Sequence, residues 1–188
     1  FVSMIEAFIV SGFVGLLMEV SVIRRLYGRP LETLLATFGI SIILQQVIKI
    51  IFGTGAKSVN NPISSSMQIG HVVLPYFRLF IILVALGLVL FTVFIMFKTR
   101  FGTQLRTVSQ NRQMSECLGI NTSKVDMYTF AFGSGLAGVA GAVLSPIKTV
   151  SPTMGFEYLI DSFMVVVLGG IGSISGSTLG SFIIGESN

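Results

Sequence analysis

KTRFGTQLRTVSQNRQMSECLGINTSKVDM, Lys98 to Met127, runs without a break into YTFAFGSGLAGVAGAVL, Tyr128 to Leu144. The first half is the longest polar run of the chain and holds five of its twelve basic residues: Lys98, Arg100, Arg106, Arg112 and Lys124. The second half is apolar, and its interior polar residues are small. Water dissolves one half and hydrocarbon the other. A basic segment held between two apolar runs belongs at a membrane face, where it can meet a soluble partner.

Composition carries that reading outward. Hydrophobic residues make up 52% of the chain and charged residues 11%, with a mean hydropathy of +0.88. A soluble domain carries about a quarter charged residues, so this chain lacks the charge to cover a water-facing surface. The net charge of +4 does not point to nucleic acid, because the basic residues lie in short loops between apolar runs. Cys117 is the single cysteine, which excludes an internal disulfide and a cysteine metal cluster. The chain opens at Phe1 inside an apolar run and stops at Asn188 just after one. It is therefore expected to be a fragment of a longer bundle, incomplete at both ends.

The expected fold is all-α, a polytopic transmembrane helix bundle with about five or six membrane segments, since each apolar run approaches the ~20 residues a spanning helix needs. Val2 to Ile23 is the first span; its Ser11, Gly12 and Gly15 suit close helix packing, while Glu6 and Glu19 are costly there. Glu6 reads as solvated at one interface, and Glu19 as paired or wetted near Arg24 and Arg25. Leu34 to Phe52 is the second span, interrupted by Gln45, Gln46 and Lys49. Lys49 is near enough to the end to snorkel, and successive residues on a helix point about 100° apart, so Gln45 and Gln46 cannot both face one pathway. Phe77 to Phe97 and Tyr128 to Leu144 are the third and fourth spans. Tyr158 to Gly185 is broken by GGIGSISGSTLG, Gly169 to Gly180, and fits either two short helices or a span with a re-entrant turn.

Lysine and arginine orient the bundle. The loop at 24–33 carries three and that at 98–127 five, against Lys57 alone in 53–76 and Lys148 alone in 145–157. Positively charged loops stay inside, which places 24–33 and 98–127 in the cytosol.

Several local patterns carry no chemistry. FGTGAKS, Phe52 to Ser58, resembles a phosphate-binding loop, but its lysine does not follow glycine and it lies on the outer face. GGIGSISG, Gly169 to Gly176, misplaces the third glycine of a dinucleotide fingerprint. Asn121-Thr122-Ser123 matches a glycosylation acceptor on the wrong side of the membrane. His71 is a lone histidine in a polar loop and reads as a surface residue. In the fourth span, Ser134, Gly138 and Ala142, and again Ala137, Gly141 and Ser145, repeat small residues every four positions, as close helix packing requires.

SQNRQMSECLGINTSKVDM, Ser109 to Met127, is different. Ser109 or Asn111 is a candidate cap for a short helix running through Gln113 and Met114 to Leu118, with Gly119 as its stop. Met114, Cys117 and Leu118 share one face, and Arg112 pairs with Glu116 four residues on. Such a helix serves either as a docking knob or as a passive interfacial helix on lipid.

QNRQMSECLGI resembles the cytoplasmic coupling loop of ATP-binding-cassette importer permeases of the branched-chain amino-acid and urea family. RRLYGRPLETLLATFGISIILQQ, KVDMYTFAFGSGLAGVAGAVLS and YLIDSFMVVVLGGIGSISGSTLGSFIIG are similar to other parts of that family, so the likeness covers nearly the whole chain except 58–76. RPLETLLATFG, NRQMSECLG, VDM and IDSFMVVVLGGIGS look most like the urea permease subunit. Glu116 departs from the alanine more usual beside Cys117.

The resemblance implies one permease domain over 1–188 in a bacterial inner membrane, with a coupling loop at 98–127. It implies a second permease subunit, ATPase subunits that bind ATP in place of any cofactor here, an external substrate-binding protein, and no enzyme activity in this chain. It makes Asn111, Arg112, Met114, Glu116, Leu118, Gly119 and Ile120 the ATPase-coupling residues. Urea is small, neutral and polar, so Thr37, Ser41, Gln45 and Gln46 are candidates for its pathway. The alternative substrate is a branched-chain amino acid. A reading of another class is an ATP-independent channel or ion-coupled carrier working through Glu6 and Glu19. A third is a membrane sensor without flux.

Overall fold

The computed structural model describes residues 2–26, 30–53, 55, 66–69, 72–147, 149–170 and 174–187. His71, Lys57 and Lys148 lie outside these residues. Among the described residues, eight helices and one hairpin follow in order: α1 Val2–Ser21 with a 3-10 turn Ile23–Leu26, α2 Pro30–Phe52, β1 Ser66–Ile69, β2 Val72–Pro75, α3 Tyr76–Lys98, α4 Arg100–Gln110, α5 Arg112–Cys117, α6 Thr122–Leu144, α7 Met154–Gly169 and α8 Ile174–Ser187. Four segments, Val2–Leu26, Leu31–Phe52, Phe77–Lys98 and Thr122–Leu144, are long and apolar enough to cross a membrane. The chain is a multi-pass helical membrane protein. Its lipid-facing character shows in the outward Leu31, Leu83, Phe94 and Leu90, all exposed. In water such a surface is untenable; hydrocarbon covers it without cost.

The structure departs from the sequence expectation in two places and decides between two readings in a third. A loop was expected over 53–76, but β1 and β2 pair there as an antiparallel hairpin, Ser66 opposite Pro75 and Ile69 opposite Val72. The polar run 98–127 is mostly helical, with α4 inside it and α6 starting at Thr122 instead of Tyr128. The last run takes the first of its two expected forms, two short helices, α7 and α8, of 16 and 14 residues. At 1.5 Å per residue they reach only about 24 and about 21 Å, less than the ~30 Å hydrocarbon core.

Two compact units appear, one of residues 1–43 and 58–149, the other of 44–57 and 150–188. The first is built on α1 and α6, which run antiparallel at close range. A Cβ at Gly12 would sit 3.2 Å from the Ala131 carbonyl, and one at Gly138 would sit 2.7 Å from the Ala7 carbonyl. Ser11 Oγ donates to the Ser134 carbonyl across the same seam. Phe132 of α6 meets Phe8 of α1 edge-on at 6.2 Å and Phe91 of α3 at 6.2 Å. Val139 and Val143 are buried along α6. Glu19 is only 1% exposed, so the wetted reading of that carboxylate is replaced by a buried one. In the second unit, which also holds the end of α2, α7 and α8 form a helical hairpin: the backbone of Gly169 meets that of Gly176 and Ser177, and Gly180 meets the Val165 carbonyl.

The elbow between α3 and α4 positions everything that follows. Thr99 is its single extended residue, φ −107 and ψ 154, and its Oγ1 accepts from the Gly102 amide at 3.2 Å. The Arg106 guanidinium lies 4.9 Å over the Phe97 ring and holds α4 to the end of α3. Gly102 lets the turn close, because a Cβ there would lie 2.2 Å from the Met96 carbonyl oxygen and 2.6 Å from that of Ile95. Backbone cannot step aside as a side-chain tip can. Gly102→Ala is expected to cost about 2–3 kcal/mol of stability, read as a lowered midpoint of thermal unfolding in detergent. An unchanged midpoint would show that the elbow is looser than drawn.

Candidate functional site: a capped helix tied to α6

Helix α5 is short, six residues, and isolated helices of that length do not persist in water. Both its ends are closed. Asn111 stands at the N-cap in an extended conformation and its Oδ1 accepts from the Met114 amide at 3.0 Å. Ser115 Oγ donates to the Asn111 carbonyl at 2.8 Å. At the other end Gly119 has φ +79. Its amide donates to the Glu116 carbonyl at 3.0 Å, and the Ile120 amide donates to the Ser115 carbonyl at 3.0 Å. That paired closure around a left-handed glycine is a Schellman motif.

Once capped, the helix sorts its faces. Ser115 is wholly buried against the body. Met114 and Leu118 are 60% and 69% exposed, with Cys117 exposed beside them. A small apolar knob therefore projects from a polar segment. The opposite side carries charge. Arg112 Nε lies 3.6 Å from Glu116 Oε1, the i,i+4 pair expected from sequence. Arg112 Nη1 also lies 2.9 Å from Asp126 Oδ2, and Arg112 Nη2 donates to Thr122 Oγ1 at 3.3 Å. Thr122 Oγ1 in turn donates to Glu116 Oε1 at 2.8 Å. Glu116 thus has a defined place between Arg112 and Thr122.

Thr122 and Asp126 were missed in the sequence. Asn121 caps α6 by accepting from the Lys124 amide at 3.2 Å, which sets both side chains on one face of its first turn. Asn111, Arg112, Met114, Glu116, Leu118, Gly119 and Ile120 are brought together on and around α5. The other sequence-marked residues lie apart from it. Ser134 and Gly138 are on the α1 seam, Ala142 is half-buried further along α6, and a side chain at Gly141 would meet nothing within 4 Å. Gly135, buried under Phe8, joins the seam and falls outside the four-residue pattern that marked the others. On α2, Thr37, Ser41 and Gln45 are half-buried on one four-residue stripe, and Gln46 is exposed off it. A groove of about 540 Å³ runs along α6 past Asp126, Thr129, Phe130, Gly133 and Ser134.

The sequence profile of the family described as branched-chain amino acid transport system / permease component matches residues 1–188. The chain belongs to that family. The chain is 29% identical over 194 residues to the high-affinity branched-chain amino acid transport system permease protein LivH of Escherichia coli, covering 94% of this chain and 63% of LivH. It is 32% identical over 166 residues to the corresponding protein BraD of Pseudomonas aeruginosa, covering 84% of this chain and 53% of BraD. A shorter match, 33% over 98 residues, reaches the ribose import permease protein RbsC of Bacillus subtilis and covers 48% of this chain and 30% of RbsC. The permease chain therefore spans less than two thirds of the length of these relatives. No solved structure matches it. The likeness to a urea permease finds no support in these relatives; those matched over most of the chain are named for branched-chain amino acids.

Proposed function

We propose that this chain forms part of the membrane-spanning subunit of an ATP-driven importer of branched-chain amino acids. The observation that carries the reading is the match to permeases named for those substrates over 94% and 84% of the chain. Loops 24–33 and 98–127 face the cytosol of a cell membrane, following the bias of Lys and Arg. A second permease subunit completes the pathway, and an external binding protein delivers substrate. ATP is bound and hydrolysed by separate ATPase subunits, so the chain needs no cofactor and performs no chemistry of its own.

The apolar knob of Met114 and Leu118 fits the ATPase interface, since an exposed apolar pair on a rigid, capped helix is surface waiting for a partner. Closure of the ATPases on ATP would push α5, and α5 would move α6. Thr37, Ser41 and Gln45 are the side chains of this chain best suited to a polar substrate path.

Proteoliposomes holding the complete transporter, loaded with ATP and supplied with its binding protein, separate the substrates. ATP-dependent uptake of labelled leucine is the expected result. Uptake of urea without leucine would restore the urea reading, and uptake of either without the ATPase subunits would establish a channel or carrier instead.

A further inference from the structure

The caps that close α5 explain why it is helical, not why it points where it does. The Asn111 and Gly119 bonds are all internal to the segment 111–120. Orientation relative to α6 needs bonds that cross between the two helices. The connection between them is four residues, 118–121, centred on a glycine with nothing packed against its Cα side. Such a joint lets α5 swing unless something spans it.

Arg112 spans it. From its place in the first turn of α5 it reaches Asp126 at 2.9 Å and Thr122 at 3.3 Å, both on α6, while keeping Glu116 of its own helix at 3.6 Å. Thr122 closes the ring by donating to Glu116 at 2.8 Å. Three of these four links cross the joint. Asp126 holds the guanidinium as an ion pair, its Oδ2 making no hydrogen bond, while the Nη2 bond to Thr122 gives the link its direction; a lysine ammonium lacks the second, rigidly placed donor. The Asp126 side chain is 19% exposed and that of Arg112 39%, so salt screens the pair in part.

We infer that Arg112 is a positioning residue that latches α5 to the first turn of α6 and converts displacement of the knob into displacement of the membrane span. The inference rests on the importer reading. The seam between α1 and α6 extends the consequence: with Gly12, Gly15 and Gly138 admitting backbone against backbone, α6 carries α1 with it. Arg112 touches no substrate and need not touch the ATPase. Its work is to leave α5 no independent motion.

The test uses the complete transporter in proteoliposomes and reads substrate imported per ATP hydrolysed. Asp126→Asn keeps shape and removes the charge; Arg112→Lys keeps the charge and removes the fork. Each is expected to lower the ratio about fivefold, the upper scale of a partly exposed ion pair, with the ATPase subunits still co-purifying. The exchange Arg112→Asp with Asp126→Arg is expected to recover most of that loss, which a merely destabilised fold would not do. Unchanged ratios in both single variants would overturn the latch while the importer reading stood, because the unaltered complex would still import. Loss of the ATPase subunits from the Asp126→Asn complex would also overturn it, since the residue would then be holding the assembly together. An unaltered complex that shows no ATP-driven uptake would remove the importer reading, and the latch with it.

Discussion

Gly119→Pro is expected to abolish ATP-driven uptake in the assembled transporter while the chain still inserts in the membrane. Gly119 sits at φ +79, and proline is confined near −65°. Its amide also donates to the Glu116 carbonyl at 3.0 Å, a bond proline cannot make. The combined penalty is about 3 kcal/mol or more, set against a helix of six residues with little reserve of its own. The closure at Ser115 and Glu116 is lost, and with it the fixed direction of Met114 and Leu118. The spans lie outside this turn, so insertion is spared. Nothing lies within 4 Å of a Cβ at Gly119, and the penalty is conformational, not steric. Gly119→Ala should therefore be much milder, about 1–2 kcal/mol for a left-handed residue. Uptake of labelled leucine alongside co-purification of the ATPase checks both variants. Normal uptake by Gly119→Pro would falsify the coupling role of α5.

Gly138→Val is the second large effect, and it concerns the seam beneath the latch. A Cβ at Gly138 would stand 2.4 Å from Ser11 Cβ and 2.7 Å from the Ala7 carbonyl oxygen. The carbonyl belongs to α1 backbone and cannot rotate away, so the helices must part. Overpacking of this kind costs about 1–3 kcal/mol for a methyl-sized intrusion, and valine exceeds that. The seam has no hydrophobic effect to recover the loss, because lipid tails solvate a parted helix as well as its neighbour does. Gly141→Val, three residues along the same helix in open space, is expected to be near neutral. Thermal unfolding in detergent distinguishes them: a midpoint well below the parent for Gly138→Val and close to it for Gly141→Val. Equal midpoints would dismiss the close α1–α6 approach. Gly15→Ala is expected to be costly as well: the Ser134 hydroxyl can turn away, but Ser134 Cβ, 2.5 Å from the added methyl, moves only with the backbone.

How much of this was legible beforehand depends on how local each cause is. Asn111 as a cap, Gly119 as a stop and the Arg112–Glu116 pair are written within ten residues, because caps and i,i+4 pairs involve only neighbours along one helix. Helix α4 was equally local, with Thr99 as its cap and Phe101, Leu105 and Val108 on one stripe, yet it was hidden inside a run read as polar throughout. The α6 start at Thr122 was obscured in the same way. The urea likeness came from loop and span motifs. Substrate choice depends on a few side chains lining a path, and those motifs do not encode it.

Membrane residence, the approximate positions of the long spans and the placing of a capped amphipathic helix between Lys98 and Leu144 were determined by the sequence alone, because hydropathy, charge bias and capping act over one or two turns. The tertiary structure alone decided three things: that Asp126 and Thr122 receive Arg112, that Glu19 is buried, and that Gly138 is pressed against α1 while Gly141 is free. Each depends on which face of one helix meets which face of another. In lipid that choice is made by backbone fit between whole helices, and no periodicity within a single helix contains its partner.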